Sequence, residues 1–254
     1  MSDSTKFWRR PLRTIGIACV AALLTAAGIS AMATDWRTAS REPVGLAPDP
    51  AHVREAVVQV YGARAVGGKG LFGVHTWIAV KPTGARDWKV YEVIGWRLRW
   101  AESVVAVRTR EPDGRWFGAM PELYVDRRGA GVDALIERID KAAREYPYAT
   151  EYTAWPGPNS NTFTAWVARA VPELEIDLPA TAIGKDYLGR SVFASAPSGS
   201  GFQVSLGGVL GVAASGVEGV ELNLLGLNFG VGPNGVKLPI VGRIGSLRAA
   251  VQER

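Results

Sequence analysis

The sequence predicts an α+β fold, a mainly antiparallel sheet carrying two main helices. Three observations lead there. Between residues 56 and 118, short runs rich in β-branched and aromatic residues are separated by Gly, Pro and Asp clusters, the pattern of strands joined by tight turns. Between residues 132 and 173 the apolar period lengthens twice to that of a helix. From 199 to 245, 13 glycines sit among Val, Leu, Ile and Phe, and the chain returns to strands.

The first expected strand is 56–63 (AVVQVYGA), followed by a loop at Gly67, Gly68, Lys69 and Gly70. Residues 72–80 alternate, placing His75 and Trp77 on one face and Val74, Thr76, Ile78 and Val80 on the other. A turn over 81–87 leads to the partner strand 88–96, with Val90, Glu92 and Ile94 on one face. So short a connection predicts antiparallel pairing. Strands at 100–108 and 114–118 continue the meander around the turn Glu111, Pro112, Asp113 and Gly114.

The clearest helix is 132–146. Leu135, Ile136, Ile139 and Ala143 make its apolar face, and Glu137, Arg138, Asp140, Lys141 and Arg144 face water. In the last third, strands are expected at 202–206, 220–229 and 236–241, with Gly232, Pro233, Asn234 and Gly235 turning the last two. Residues 222–227 are apolar on both faces, which fits a central strand or a membrane-facing patch. No Lys-Ser/Thr pair follows any of these glycines, so none marks a phosphate loop.

The stretch around which the chain is organised is 155–163, Trp-Pro-Gly-Pro-Asn-Ser-Asn-Thr-Phe. Two prolines and a glycine fix a turn, and Asn159, Ser160 and Asn161 then open an apolar helical run that continues to about Glu173. A side chain there caps the helix and sits at the positive end of its dipole. That position suits a plain cap. It equally suits a nucleophile whose attack develops negative charge.

Composition excludes several classes of function. Hydrophobic residues make up 47% of 254, which is too many for a disordered chain. Lys6, Arg9, Arg10 and Arg13 against Asp3 account for +3 of the net charge of +5, and no basic run marks a nucleic-acid face. Residues 1–34 have a basic start, an uncharged stretch over 14–34 and a small-x-small site at Ala31, Met32 and Ala33. This is a secretory signal, or a single N-terminal membrane span with the domain outside the cytoplasm. Residues 35–50 read as a proline-punctuated linker and 51–254 as one exported domain, periplasmic or held at the inner membrane.

Cys19 is the only cysteine and lies inside the leading segment, so the exported part has neither a disulfide nor a cysteine nucleophile. With only His52 and His75, a histidine-built metal site is not expected, and no cofactor motif is present. Lys185 and Asp186 read as a surface pair or as residues that close a loop.

Two resemblances rest on particular residues. His75 to Pro82 (HTWIAVKP), Tyr91 to Trp96 (YEVIGW), the turn 155–163 and Ala182 to Tyr187 (AIGKDY) resemble an uncharacterised bacterial family, domain of unknown function 3750. The likeness extends over about 45–245 and implies no activity. More remotely, the order His75, Glu92, Asn159-Ser160-Asn161-Thr162-Phe163 resembles circularly permuted papain-like proteins, the NlpC/P60-like and lecithin-retinol acyltransferase-like groups. There a strand histidine and an acid or amide precede a cysteine at a helix start. Here Ser160 stands in place of that cysteine.

This second resemblance implies a hydrolase or acyltransferase acting on an ester, amide or lipid-acyl bond. Ser160 would be the nucleophile, His75 the base and Glu92 its orienter, with Asn159, Asn161, Trp155 and Trp77 as substrate contacts. Because a serine hydroxyl is far less acidic than a thiol, it needs a well-placed base and oxyanion donors. The alternative is a non-catalytic module that binds an envelope component or a lipid.

Overall fold

Pairing of short alternating strands builds the first half of the protein, which a computed structural model describes over residues 36–245. β1 (Val57–Arg64) pairs antiparallel with β2 (Val74–Lys81) along its full length. β2 pairs with β3 (Lys89–Val93) across the expected turn, setting Trp77 opposite Glu92, and β3 pairs with β4 (Val105–Thr109). β5 (Glu122–Arg128) joins β1 on its other side, so the five-stranded sheet runs β4-β3-β2-β1-β5.

Several details of this sheet differ from the sequence reading: the strand expected over 88–96 ends at Val93 and a 3-10 turn, Gly95–Arg99, follows it, and the strand expected over 100–108 begins only at Val105. Residues 114–118, expected as a strand, form a loop in which Trp116 bridges Ala119. β5 carries Glu122, Asp126, Arg127 and Arg128 and so hides its alternation; an edge strand needs only one paired side.

β2 lies at the centre of this sheet and is buried at all its positions, because both faces are covered. On one face Val74, Ile78 and Val80 pack with α1 (Val132–Arg144) and α2 (Ser160–Ala170) in the main core. On the other, Trp77 and Ala79 join Tyr61, Trp88 and Val90 in a second cluster. α2 stops short of the expected Glu173, since Pro172 cannot continue a helix, and a 3-10 turn, Pro172–Leu174, follows. Irregular chain covers the second cluster. Residues 36–50, expected as a linker, are fastened there. Leu46 and Ala47 donate to Asp113 Oδ2 at 2.6 and 3.2 Å, and Pro43 bridges Gly114.

The last third forms a separate seven-stranded antiparallel meander. Its strands are β6 (Phe193–Ala194), β7 (Phe202–Leu206), β8 (Leu210–Ser215), β9 (Gly219–Leu224), β10 (Leu227–Gly232), β11 (Gly235–Leu238) and β12 (Gly242–Ile244), in sequential order. The single strand expected at 220–229 is two, because Leu225 and Gly226 turn the chain with φ of 54° and 78°. Lys185 and Asp186 are not a surface pair. Both are buried, and Lys185 Nζ bonds Asp186 and Glu221 on β9. Glu221 also bonds Lys237 of β11, which reaches Asp177. These ions join the second sheet to the first half of the molecule.

Candidate functional site

The turn before α2 is a capping device. Asn159 is extended, and its Oδ1 accepts from the N–H groups of Asn161 (2.9 Å) and Thr162 (3.2 Å). Thr162 Oγ1 accepts from the Asn159 N–H at 3.0 Å, which completes a capping box with Thr in the usual Glu or Gln position. Asn159 Nδ2 donates to the carbonyls of Ala154 and Ile183. Gly184 makes this fit possible: its φ is +96°, and a Cβ there would lie 2.3 Å from Asn159 Nδ2.

Asn161 fastens the helix to the sheet. Its Nδ2 donates to Val74 O (3.0 Å) and Ile183 O (2.8 Å), and its Oδ1 accepts from Thr76 Oγ1 (3.0 Å). Thr76 also shares a hydrogen bond of 2.8 Å with Thr164. Asn159 and Asn161 thus spend their side-chain amides on holding the turn. The residue between them, Ser160, lines a cavity of about 430 Å³ together with Val74, Tyr152, Trp155, Ile183 and Leu227. Trp155 stands half exposed at its edge, with Nε1 donating to Leu225 O at 3.0 Å.

His75 points the other way. Successive strand residues face opposite sides of a sheet, and Thr76 is the one turned toward α2. The His75 ring stacks on Trp116 with centroids 3.7 Å apart, and its Nε2 lies 3.1 Å from Glu92 Oε2. Glu92 Oε1 accepts from Arg108 Nη2 at 2.5 Å and lies 3.4 Å from Arg110 Nε. Burial pushes the Glu92 carboxyl up, but the His75 hydrogen bond and the charges of Arg110 and Arg108 outweigh it and hold the pKa at about 2. Burial holds His75 below its ordinary 6.5 against the pull of Glu92. The ring is therefore neutral at pH 7, with Nε2–H donating to the carboxylate.

The structure brings His75, Glu92 and Trp77 together on one face of the sheet. It gathers Asn159, Ser160, Asn161 and Trp155 on the other. No hydrogen bond joins Ser160 to His75, whose acidic contact among the described residues is Glu92. Trp77 is wholly buried, with its indole N–H on Pro112 O at 2.7 Å, and does not line the Ser160 cavity.

Residues 55–187 match the family described as "Protein of unknown function (DUF3750)". The chain belongs to this family. The DUF3750 match includes the five-stranded sheet, both helices and the turn 155–163. It ends at Tyr187, before the seven-stranded sheet, and so is narrower than the 45–245 expected. No curated protein and no solved structure matches the chain.

Within the DUF3750 region, sequence reasoning missed the partners that decide the geometry: Thr76 and Thr164 under α2, and Arg108, Arg110 and Trp116 around His75. Arg108, Arg110 and Trp116, with Arg41, Arg115 and Trp96, line a second cavity of about 470 Å³ on the His75 side. Its guanidinium groups suit an anionic group. Among the described residues, no group of three or more His, Cys, Asp or Glu could hold a metal ion.

Proposed function

We propose that this DUF3750 protein is a non-catalytic binding module of the cell envelope that takes up an acyl chain. The observation that carries this reading is the cavity of about 430 Å³ under the turn 155–163. Its size falls in the range of roughly 300–1,000 Å³ usual for small-molecule sites. Val74, Phe72, Trp155, Ile183, Leu225 and Leu227 give it apolar walls. Ser160 adds a hydroxyl at the positive end of α2, where a carboxylate or phosphate head group is favoured.

Location in the envelope is part of the proposal and is supported by the basic start and uncharged stretch of residues 1–34, which lie outside the described residues. Among the described residues no helix is long and apolar enough to cross a membrane. Export would leave the domain periplasmic, or at the inner membrane on a single span.

The hydrolase or acyltransferase alternative has a nucleophile without its base. A serine needs a proton acceptor within about 3 Å, directly or through one water. His75 is committed to Glu92 on the opposite face of β2. The permuted papain-like likeness therefore rests on chain order.

Displacement of a fluorescent long-chain fatty acid from the purified protein tests the reading. Wild type should bind the probe, and Ile183→Trp, which fills the cavity, should bind it at least tenfold more weakly with an unchanged circular dichroism spectrum. Equal binding by both proteins, or none by wild type, would refute acyl uptake. Ser160 labelling by a fluorophosphonate would instead establish catalysis.

A further inference from the structure

The seven-stranded sheet is inverted relative to a sheet that faces water. In β7, Gln203 and Ser205 turn inward, while Phe202 and Leu206 are exposed. In β9, Glu221 and Asn223 are buried, while Val220, Leu222 and Leu224 face out. Pairing aligns these outward residues into rows: Val204 lies opposite Val212, Val212 opposite Leu222, and Leu222 opposite Phe229. Such a row crosses four strands without a polar side chain. Seven strands about 4.8 Å apart, each with about five residues at about 3.3 Å, give a face of roughly 500 Å². Apolar patches of that size on a soluble protein mark interaction sites.

We infer that this face lies against the hydrocarbon of a lipid bilayer. Two observations favour lipid over protein. First, a protein interface carries about one hydrogen bond per 100–200 Å², whereas these rows offer no side-chain donor or acceptor. Second, the rim has the composition of a membrane interface. Leu225, 72% exposed at the β9–β10 turn, shares a cavity edge with Trp155, Phe72 and Lys69, all exposed. Tryptophan and lysine are the side chains that settle at the boundary between acyl chains and water.

The start of the domain lies at the same end. Trp36 shares a cavity with Val66 and Trp96, and the adjacent Ala65 lines the cavity that contains Leu225. The uncharged stretch 14–34 of the sequence stops two residues before Trp36. A bilayer that received this stretch would have the rim beside it. This docking does not depend on acyl uptake in the Ser160 cavity.

Cys19 is the only cysteine, so the full chain can be labelled cleanly in a Cys19→Ser background. An environment-sensitive nitrobenzoxadiazole label is placed at Leu222→Cys and separately at Val231→Cys. A control at Lys141→Cys sits on the exposed side of α1, where that side chain is 68% exposed. Each protein is reconstituted into vesicles of phosphatidylethanolamine and phosphatidylglycerol. Labels at 222 and 231 should emit to the blue and be quenched by lipids carrying nitroxides on their acyl chains. The label at 141 should keep its aqueous spectrum.

Aqueous emission at 222 and 231, with quenching by iodide, would overturn the proposal. So would protection from both iodide and nitroxide lipids, which would mean that protein covers the face. Cross-linking between labelled positions would then identify a second copy. Because all labelled positions are on exposed side chains, an unchanged circular dichroism spectrum separates these outcomes from misfolding.

Discussion

Replacing Glu92 by Gln tests the charge cluster behind β2. This carboxyl has no exposed surface, yet titrates at about 2 instead of 4.5. Burial opposes its ionisation, and the His75 hydrogen bond with the Arg110 and Arg108 charges more than offsets that. At about 1.4 kcal/mol per pH unit, the depression corresponds to about 3 kcal/mol. The Arg108 side chain is half exposed, so solvent screening lowers this to about 2–3 kcal/mol.

The sign follows from proton binding. The unfolded carboxyl takes up a proton at a higher pH than the folded one, so acid favours unfolding. The contribution is complete above the ordinary 4.5 and drains away as pH falls from there to about 2. His75 adds an earlier arm of the same sign. Its pKa is lowered by burial, so the unfolded ring protonates first and stability drops as pH falls below 6.5.

Glu92→Gln keeps an acceptor for the ring but loses the charge. It should reduce stability at pH 7 by about 2–3 kcal/mol and flatten the profile below pH 4.5, while leaving the arm below 6.5 in place. Urea unfolding between pH 2 and 8 reads this directly. Parallel wild-type and variant profiles below pH 4.5 would refute the reasoning.

Three further outcomes are expected. Glu221→Gln leaves two buried ammonium groups short of a partner, Lys185 and Lys237, and should lower stability by about 3–5 kcal/mol in urea; under 1 kcal/mol would mean that the network is solvated. Asn161→Ala strips hydrogen bonds from the Val74 and Ile183 carbonyls and from Thr76, with an expected loss of about 2–4 kcal/mol and a lower melting temperature; an unchanged melting temperature would contradict the role given to this side chain. In a Ser160→Cys protein, iodoacetamide should react at the same rate with and without His75→Ala, because the ring faces away. A marked slowing would put His75 beside residue 160 and revive the nucleophilic reading.

The sheet and helices of the first half are legible in the sequence because their periods are clean. Strands at 72–80 and 88–96 alternate, and 132–146 repeats at helical spacing. β5 escapes notice because its charges mask a half-buried edge, and the pair β9–β10 reads as one strand because Leu225 and Gly226 interrupt no apolar pattern. The turn 155–163 announces a helix start, and Asn159 is indeed its cap.

The site is harder to read, for a reason the sequence nevertheless contains. His75 and Thr76 are neighbours on a strand and must face opposite sides. Which side receives α2 depends on Asn161 and Thr164 finding Thr76 across more than 80 residues, and no local pattern encodes that contact. The same limit hides Arg108 and Arg110 as partners of Glu92. Lys185 and Asp186 look like a solvated pair until Glu221 and Asn223 close over them.

The ion network and the apolar outer face of the second sheet are linked by register. Buried ion pairs are a weak source of stability, since apolar residues of similar volume do as well or better. A slip of one residue along each strand would turn Val220, Leu222 and Leu224 inward and put Glu221 and Asn223 in water, which favours folding in an aqueous medium. Glu221 prevents that slip, because it meets Lys237 on β11 and Lys185 in the preceding loop, while Lys237 is held by Asp177. Shifting β9 would carry Glu221 away from both lysines, leaving Lys185 with Asp186 and Lys237 with Asp177 as their acidic partners and stranding the Glu221 carboxylate. Fixing a register is the best-attested use of buried polar groups. Here the register it fixes is the one that sends every large apolar side chain of the sheet outward. In water that choice is unfavourable twice, once for the desolvated ions and once for the wet hydrocarbon. Against a bilayer the second cost disappears, and the first becomes what holds the lipid-facing surface in place.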